Sequence, residues 1–185
     1  MALRRLGAAV TRGYGAALAA VLLAFAVHAA AAQRWTFSQS MMERLTIPRT
    51  IRALPEFSDL EYDDTSRVFG LRADLDRDGR ADYIIRSSGR LCGNGGCDYL
   101  LVDGRTRLAL GTLFGGTIYV DSAPPGRFPV LHSLAHRSAE SATWTRYVYR
   151  NGKYAGESRV FTGAQLDSVV RFLKKFPPPE SVTRR

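Results

Sequence analysis

From Phe69 onward the chain alternates. Phe69, Leu71, Ala73 and Leu75 are separated by Gly70, Arg72 and Asp74, the period of two expected of a strand with one buried face. Further runs rich in apolar, β-branched and aromatic residues follow at 83–86, 99–102, 108–114, 117–120, 128–134, 144–150 and 154–161. Turn-forming groups stand between nearly all of them: Asp103-Gly104, Gly115-Gly116, Pro124-Pro125-Gly126 and Asn151-Gly152. The period then changes. Leu166, Val169, Val170, Leu173 and Phe176 fall on one helical face, Thr162 and Gln165 have capping-box spacing, and Pro177 ends the segment. The expected fold is α+β: an antiparallel meander of about six to eight short strands with one C-terminal amphipathic helix. No period of repeat length runs through the chain, so a solenoid or full propeller is not expected.

Residues 33–64 lack such a pattern. Pro48 and Pro55 punctuate them, and residues 40–45 suit a short helix stopped before Pro48, so this segment reads as an N-terminal arm laid over the domain at 65–185. Ahead of it come Arg4, Arg5 and Arg12, an apolar stretch at 16–27, and Ala30 and Ala32 in the spacing of an A-x-A cleavage site. Residues 1–32 are therefore expected to be a secretory signal peptide, with Gln33 as the new first residue. The stretch is Ala-rich and short of the roughly 20 strongly apolar residues of a spanning helix, so no retained transmembrane segment is expected. Removal would leave 153 of the 185 residues, the size of one ordinary domain.

Charge narrows the partners. Without the three arginines of the leader, 23 basic residues face 17 acidic ones, a modest excess of +6. The arginines are scattered from Arg34 to Arg185 and form no stripe with interleaved aromatics, which speaks against nucleic acid and for a solvated basic surface. An envelope protein or polysaccharide is the partner class this leaves open.

Two cysteines, Cys92 and Cys97, enclose Gly93-Asn94-Gly95-Gly96. If Asn94-Gly95 forms a two-residue type I′ turn, Gly93 and Gly96 close it with paired hydrogen bonds and Cys92 faces Cys97 in the next, non-hydrogen-bonded pair. Such a pair holds its Cα atoms about 4.5 Å apart, within reach of a disulfide. The spacing thus predicts a structural bond between Cys92 and Cys97, in keeping with an oxidising, periplasmic or extracellular location.

The segment Asp74-Leu75-Asp76-Arg77-Asp78-Gly79-Arg80-Ala81-Asp82 places carboxylates at positions one, three, five and nine, with glycine at six. Calcium takes six to eight hard oxygen ligands at about 2.3–2.6 Å, and acids at alternate positions wrap around one point where Gly79 permits the sharp turn. The Arg80 carbonyl would serve at position seven. Ile85 stands where an EF-hand carries its bidentate glutamate, and the flanks are β-patterned, so an EF-hand is excluded. The alternative is a charged turn neutralised by Arg72, Arg77, Arg80 and Arg86, although exposed pairs of this kind recover only about 0–1 kcal/mol each.

Phe69-Gly70, the acids from Asp74 to Asp82 and the apolar Tyr83-Ile84-Ile85 together resemble a single FG-GAP or VCBS-type motif over about residues 68–86. The resemblance implies calcium binding by Asp74, Asp76, Asp78 and Asp82. With the Cys92–Cys97 hairpin, the chain also resembles small bacterial periplasmic proteins.

No Gly-x-Ser-x-Gly elbow, phosphate-binding loop or dinucleotide fingerprint occurs. His132 and His136 lie in a β-patterned run, where four residues span about 13 Å, so they do not form a zinc pair. The expected function is an exported, calcium-stabilised binding or structural module of the bacterial envelope. The rival is a small envelope-polymer hydrolase with His132 or His136 as base.

Overall fold

The computed structural model describes residues 34–177, so the expected signal peptide lies outside the described residues. Ten strands form two five-stranded antiparallel sheets. In chain order they are β1 Trp35–Ser38, β2 Glu43–Thr46, β3 Arg67–Ala73, β4 Asp82–Arg86, β5 Cys97–Val102, β6 Ala109–Gly115, β7 Thr117–Val120, β8 Leu131–His136, β9 Ser141–Arg150 and β10 Lys153–Thr162. One sheet has the order β2-β3-β4-β5-β6 and the other β1-β7-β8-β9-β10. Three short or amphipathic helices complete the described chain: α1 Arg49–Arg52, α2 Pro55–Ser58 and α3 Gly163–Leu173.

The period-two pattern sorts side chains into layers. Leu71, Ile84, Tyr99, Leu101 and Leu113 from one sheet meet Trp35, Phe37, Ile118, Leu131 and Tyr147 from the other in a central core. The opposite side of the first sheet, with Val68, Tyr83, Ile85, Leu100 and Val102, is covered by Ile47, Ile51, Phe57 and Leu60. On the far side of the second sheet, Tyr119, Leu134 and Ala142 pack against Leu166 and Leu173 of α3. Fully burying one such large apolar side chain stabilises the fold by roughly 1.5–3 kcal/mol, so each layer holds its neighbour firmly.

The α+β class and the C-terminal helix hold, but the expected strand number is too low. The eight β-patterned runs all become strands, and two more arise inside the supposed arm, where β1 pairs with β7 and β2 with β3. Residues 40–45 are a single 3₁₀ turn, Gln39–Met41, followed by β2, and not the expected helix. The reason is tertiary: Trp35 and Phe37 gain more by entering the inter-sheet core than a short isolated helix could recover. At α3, Thr162 is the N-cap residue but makes no side-chain capping bond, and Gly163 follows with φ +49°.

Candidate metal centre

The acidic segment forms the connection between β3 and β4, at one end of the first sheet. Its sharp turns use positive φ at Arg77 (+61°) and Gly79 (+88°). Carboxylates organise the loop backbone. Asp74 accepts the Asp78 N–H at 3.0 Å and the Gly79 N–H at 2.9 Å, Asp76 accepts the Asp78 N–H at 3.2 Å, and Asp78 accepts the Arg80 N–H at 2.8 Å. These folded-back contacts bring one carboxylate oxygen each from Asp74, Asp76 and Asp78 within 4.8 Å of one another, a cluster that could hold a metal ion.

The donor set fits a hard cation, because every side-chain donor is oxygen. Asp76 is only 8 % exposed. Burial pushes its carboxyl above the ordinary range, and the nearby charges of Asp78, Asp74 and Asp103 push the same way. A bound cation would reverse both effects, since it supplies the opposite charge that water and neighbours do not.

Asp82 has a different setting. It is the first residue of β4 and 2 % exposed. One of its oxygens accepts the Leu75 N–H at 2.8 Å and the other the Gly104 N–H at 2.7 Å. It lies outside the cluster of three, and burial pushes its carboxyl up to about 7 against the effect of those two donors.

Sequence reasoning missed the partners from other loops. Arg105, in the β5–β6 turn, places its guanidinium 3.5 Å from Asp78. The Gly126 N–H donates to the Asp76 carbonyl at 2.6 Å, and the Arg77 guanidinium donates to the Ala123 carbonyl at 3.4 Å. The acidic loop therefore ties the first sheet to the β7–β8 connection of the second. Asp103-Gly104 and Pro124-Pro125-Gly126 were visible in the sequence only as turns. Of the arginines considered as neutralising partners, Arg72 lies over the Tyr83 ring at 4.9 Å and Arg86 over the Phe69 ring at 4.7 Å.

The disulfide joins Cys92 and Cys97, with Cα atoms 4.3 Å apart. Gly93 and Gly96 close the turn with reciprocal hydrogen bonds of 2.9 and 3.0 Å. The turn type differs from expectation. Neither Asn94 nor Gly95 has positive φ, which excludes type I′, and the positive φ falls on Gly96 at +128°. A Cβ at Gly96 would come within 1.9 Å of the Gly115 carbonyl carbon, so packing against the β6–β7 turn dictates the backbone there.

His132 and His136 both lie on β8. The His132 ring stacks on Trp144 at 5.0 Å and lies 5.8 Å from Tyr119, its Nδ1 is buried without a hydrogen-bond partner, and burial lowers its basicity. His136 is exposed at the strand end. Neither lines the cavity of about 430 Å³ bounded by Ser138, Glu140, Ser141, Thr162, Leu166 and Asp167.

Comparison of the chain with protein-family models, curated proteins and solved structures finds no match.

Proposed function

We propose that this chain is an exported, calcium-stabilised module of the bacterial envelope that binds another macromolecule or supports an assembly. The observation that carries the reading is the convergence of Asp74, Asp76 and Asp78 oxygens within 4.8 Å, with Asp76 itself buried. Three carboxylates so placed repel one another, and a divalent cation offsets that repulsion. The Arg80 carbonyl and Asp82 complete the proposed oxygen set. Asp82 would act partly by holding Leu75 and Gly104 in place.

Calcium's role in this reading is structural. Its loop joins both sheets through Gly126 and Ala123, so filling it would hold the sandwich closed at that end. The disulfide-closed hairpin suits a periplasmic or secreted protein, where thiols are oxidised. No helix among the described residues is long and apolar enough to cross a membrane. The hydrolase alternative gains nothing from the geometry, because neither histidine is hydrogen-bonded to a serine or a carboxylate among the described residues.

Thermal melting tests the proposal. A metal that binds only the folded state stabilises by RT ln(1 + [L]/Kd), about 2.7 kcal/mol at a hundredfold excess over Kd. The melting temperature should rise in millimolar calcium and fall in EDTA, and equal values in the two would show that the loop is only a charged turn.

A further inference from the structure

Strand β10 ends its sheet. It pairs with β9 along all ten residues without a register shift, and among the described residues no strand lies on its other side. The remaining strands on sheet borders, β1 and β2, have four residues each, and β6 has seven and pairs with β5 through an irregularity. Natural sheets blunt long edges with proline, bulges or a covering element. No proline or bulge occurs along β10, and although Tyr154 is buried against Gly111 of β6, residues 155–160 are all exposed, with Val160 at 50 %. Every second residue within 155–160 thus presents a free N–H and C=O to solvent.

The order of side chains on this edge is self-complementary. When two copies pair antiparallel about Ser158, residue i faces residue 316 − i of the other copy. Glu157 then faces Arg159, and Arg159 faces Glu157, across the two-fold axis. Gly156, which has no side chain, faces the exposed Val160, and Ala155 faces Phe161. Within one copy neither Glu157 nor Arg159 makes an ion pair among the described residues. Shifting the axis by half a residue, between Glu157 and Ser158, would instead leave Arg159 opposite Gly156 and Glu157 opposite Ser158, with both charges unanswered. Opposite charges directly across a strand pair are favourable and like charges are not, which favours the Ser158-centred register over this one. An Ala155-centred pairing would set Glu157 opposite Lys153, but Lys153 is already paired with Glu56 within its own copy.

We propose that β10 is a homodimerisation edge, through which two copies of this chain join their five-stranded sheets into one continuous ten-stranded sheet with Ser158 on the two-fold axis. The interface is isologous, closes after two copies and buries both exposed edges at once. It is independent of the metal loop, which lies on the connection between β3 and β4. A single strand pair buries little area, so the dimer should be of micromolar affinity.

Sedimentation analysis of protein expressed from the full-length sequence, from about 1 to 200 μM, tests this directly. A concentration-dependent dimer is expected. Glu157→Arg or Arg159→Glu alone should weaken it on the order of tenfold or more, because each turns both charge pairs repulsive. The double variant Glu157→Arg/Arg159→Glu should recover it, which a mere folding defect would not do. Ser158→Cys should cross-link to itself under mild oxidation, since facing Cα atoms in an antiparallel pair lie about 4.5–5.5 Å apart, whereas Ala155→Cys, six residues from its own copy, should not. Protein that stays monomeric to 200 μM, or a double variant no better than the singles, or equal cross-linking at both cysteine positions, would overturn the proposal; capture of a foreign strand by a monomeric β10 would belong to the first of these results.

Discussion

The carboxylate of Asp82 accepts the Gly104 N–H at 2.7 Å, joining the first residue of β4 to the turn between β5 and β6. The same carboxylate holds the Leu75 N–H through its other oxygen, so a single buried side chain fixes both the acidic loop and the turn carrying Arg105. Gly104 permits this approach, because a Cβ there would lie 2.3 Å from the Ala81 carbonyl oxygen.

Asp82→Asn keeps the size but can offer an oxygen to only one of the two donors. Leaving a buried N–H unpaired costs about 1–3 kcal/mol. Urea unfolding should show a lower midpoint with an unchanged slope, and an unaltered midpoint would show that the two hydrogen bonds contribute nothing.

Arg105 competes with any cation for Asp78. Its guanidinium is largely solvated, so the pair is worth at most about 1 kcal/mol. Arg105→Ala should therefore tighten calcium binding by roughly two- to fivefold at low salt, with the gain fading as salt is raised. Asp78→Ala should act in the opposite sense and remove most of the calcium response, while metal-free stability changes by no more than about 1 kcal/mol. Isothermal titration with calcium reads both effects.

His132 gives stability a pH dependence. Burial against Trp144 and Tyr119 lowers its pKa below 6.5, so the folded protein resists a proton that the unfolded chain accepts. This contribution is present above about pH 6.5 and is lost as pH falls towards the folded value. Melting curves between pH 7.5 and 5 should decline less steeply for His132→Phe than for the parent protein. Parallel declines would show that the ring takes up its proton without cost.

The disulfide should matter locally. Closing so short a ring removes only about 2 kcal/mol of unfolded-state entropy in the chain-entropy model. Cys92→Ala/Cys97→Ala should fold with that modest loss, and mass spectrometry of non-reduced peptides should find the native pair linked. Gly96→Ala should be the more damaging change, because its Cβ has no room beside Gly115 and its φ of +128° disfavours a side chain.

Residues 34–64 also contribute to stability. Ile51 is fully buried beneath the first sheet with Phe57 and Leu60. Ile51→Ala should cost about 2–5 kcal/mol, measured by denaturant unfolding. A loss below about 1 kcal/mol would show that this segment is only draped over the sheet.

Much of this architecture was legible before any coordinates, because it depends on local period and spacing. Alternation at Phe69–Leu75 and the β-type runs between turn signals after it placed all eight strands from β3 to β10, and the switch to helical spacing at Leu166 placed α3. The five-residue separation of Cys92 and Cys97 was enough for the bond, and the acids at 74, 76 and 78 announced their own cluster. At Asn151-Gly152 the dipeptide also fixed its turn, with φ of +52° and +84° as type I′ requires. The same dipeptide at Asn94-Gly95 did not, since packing of Gly96 on Gly115 moved the positive φ one residue along. Only the tertiary structure decided the division into two sheets. The pairing of β1 with β7 joins residues about eighty positions apart, and the alternation in Trp35-Thr36-Phe37-Ser38 is too short to show a period until a core exists to receive it. The same holds for Gly104, Arg105 and Gly126 at the acidic loop: their contacts come from distant turns, and nothing in the order of residues sets the distance between separate loops.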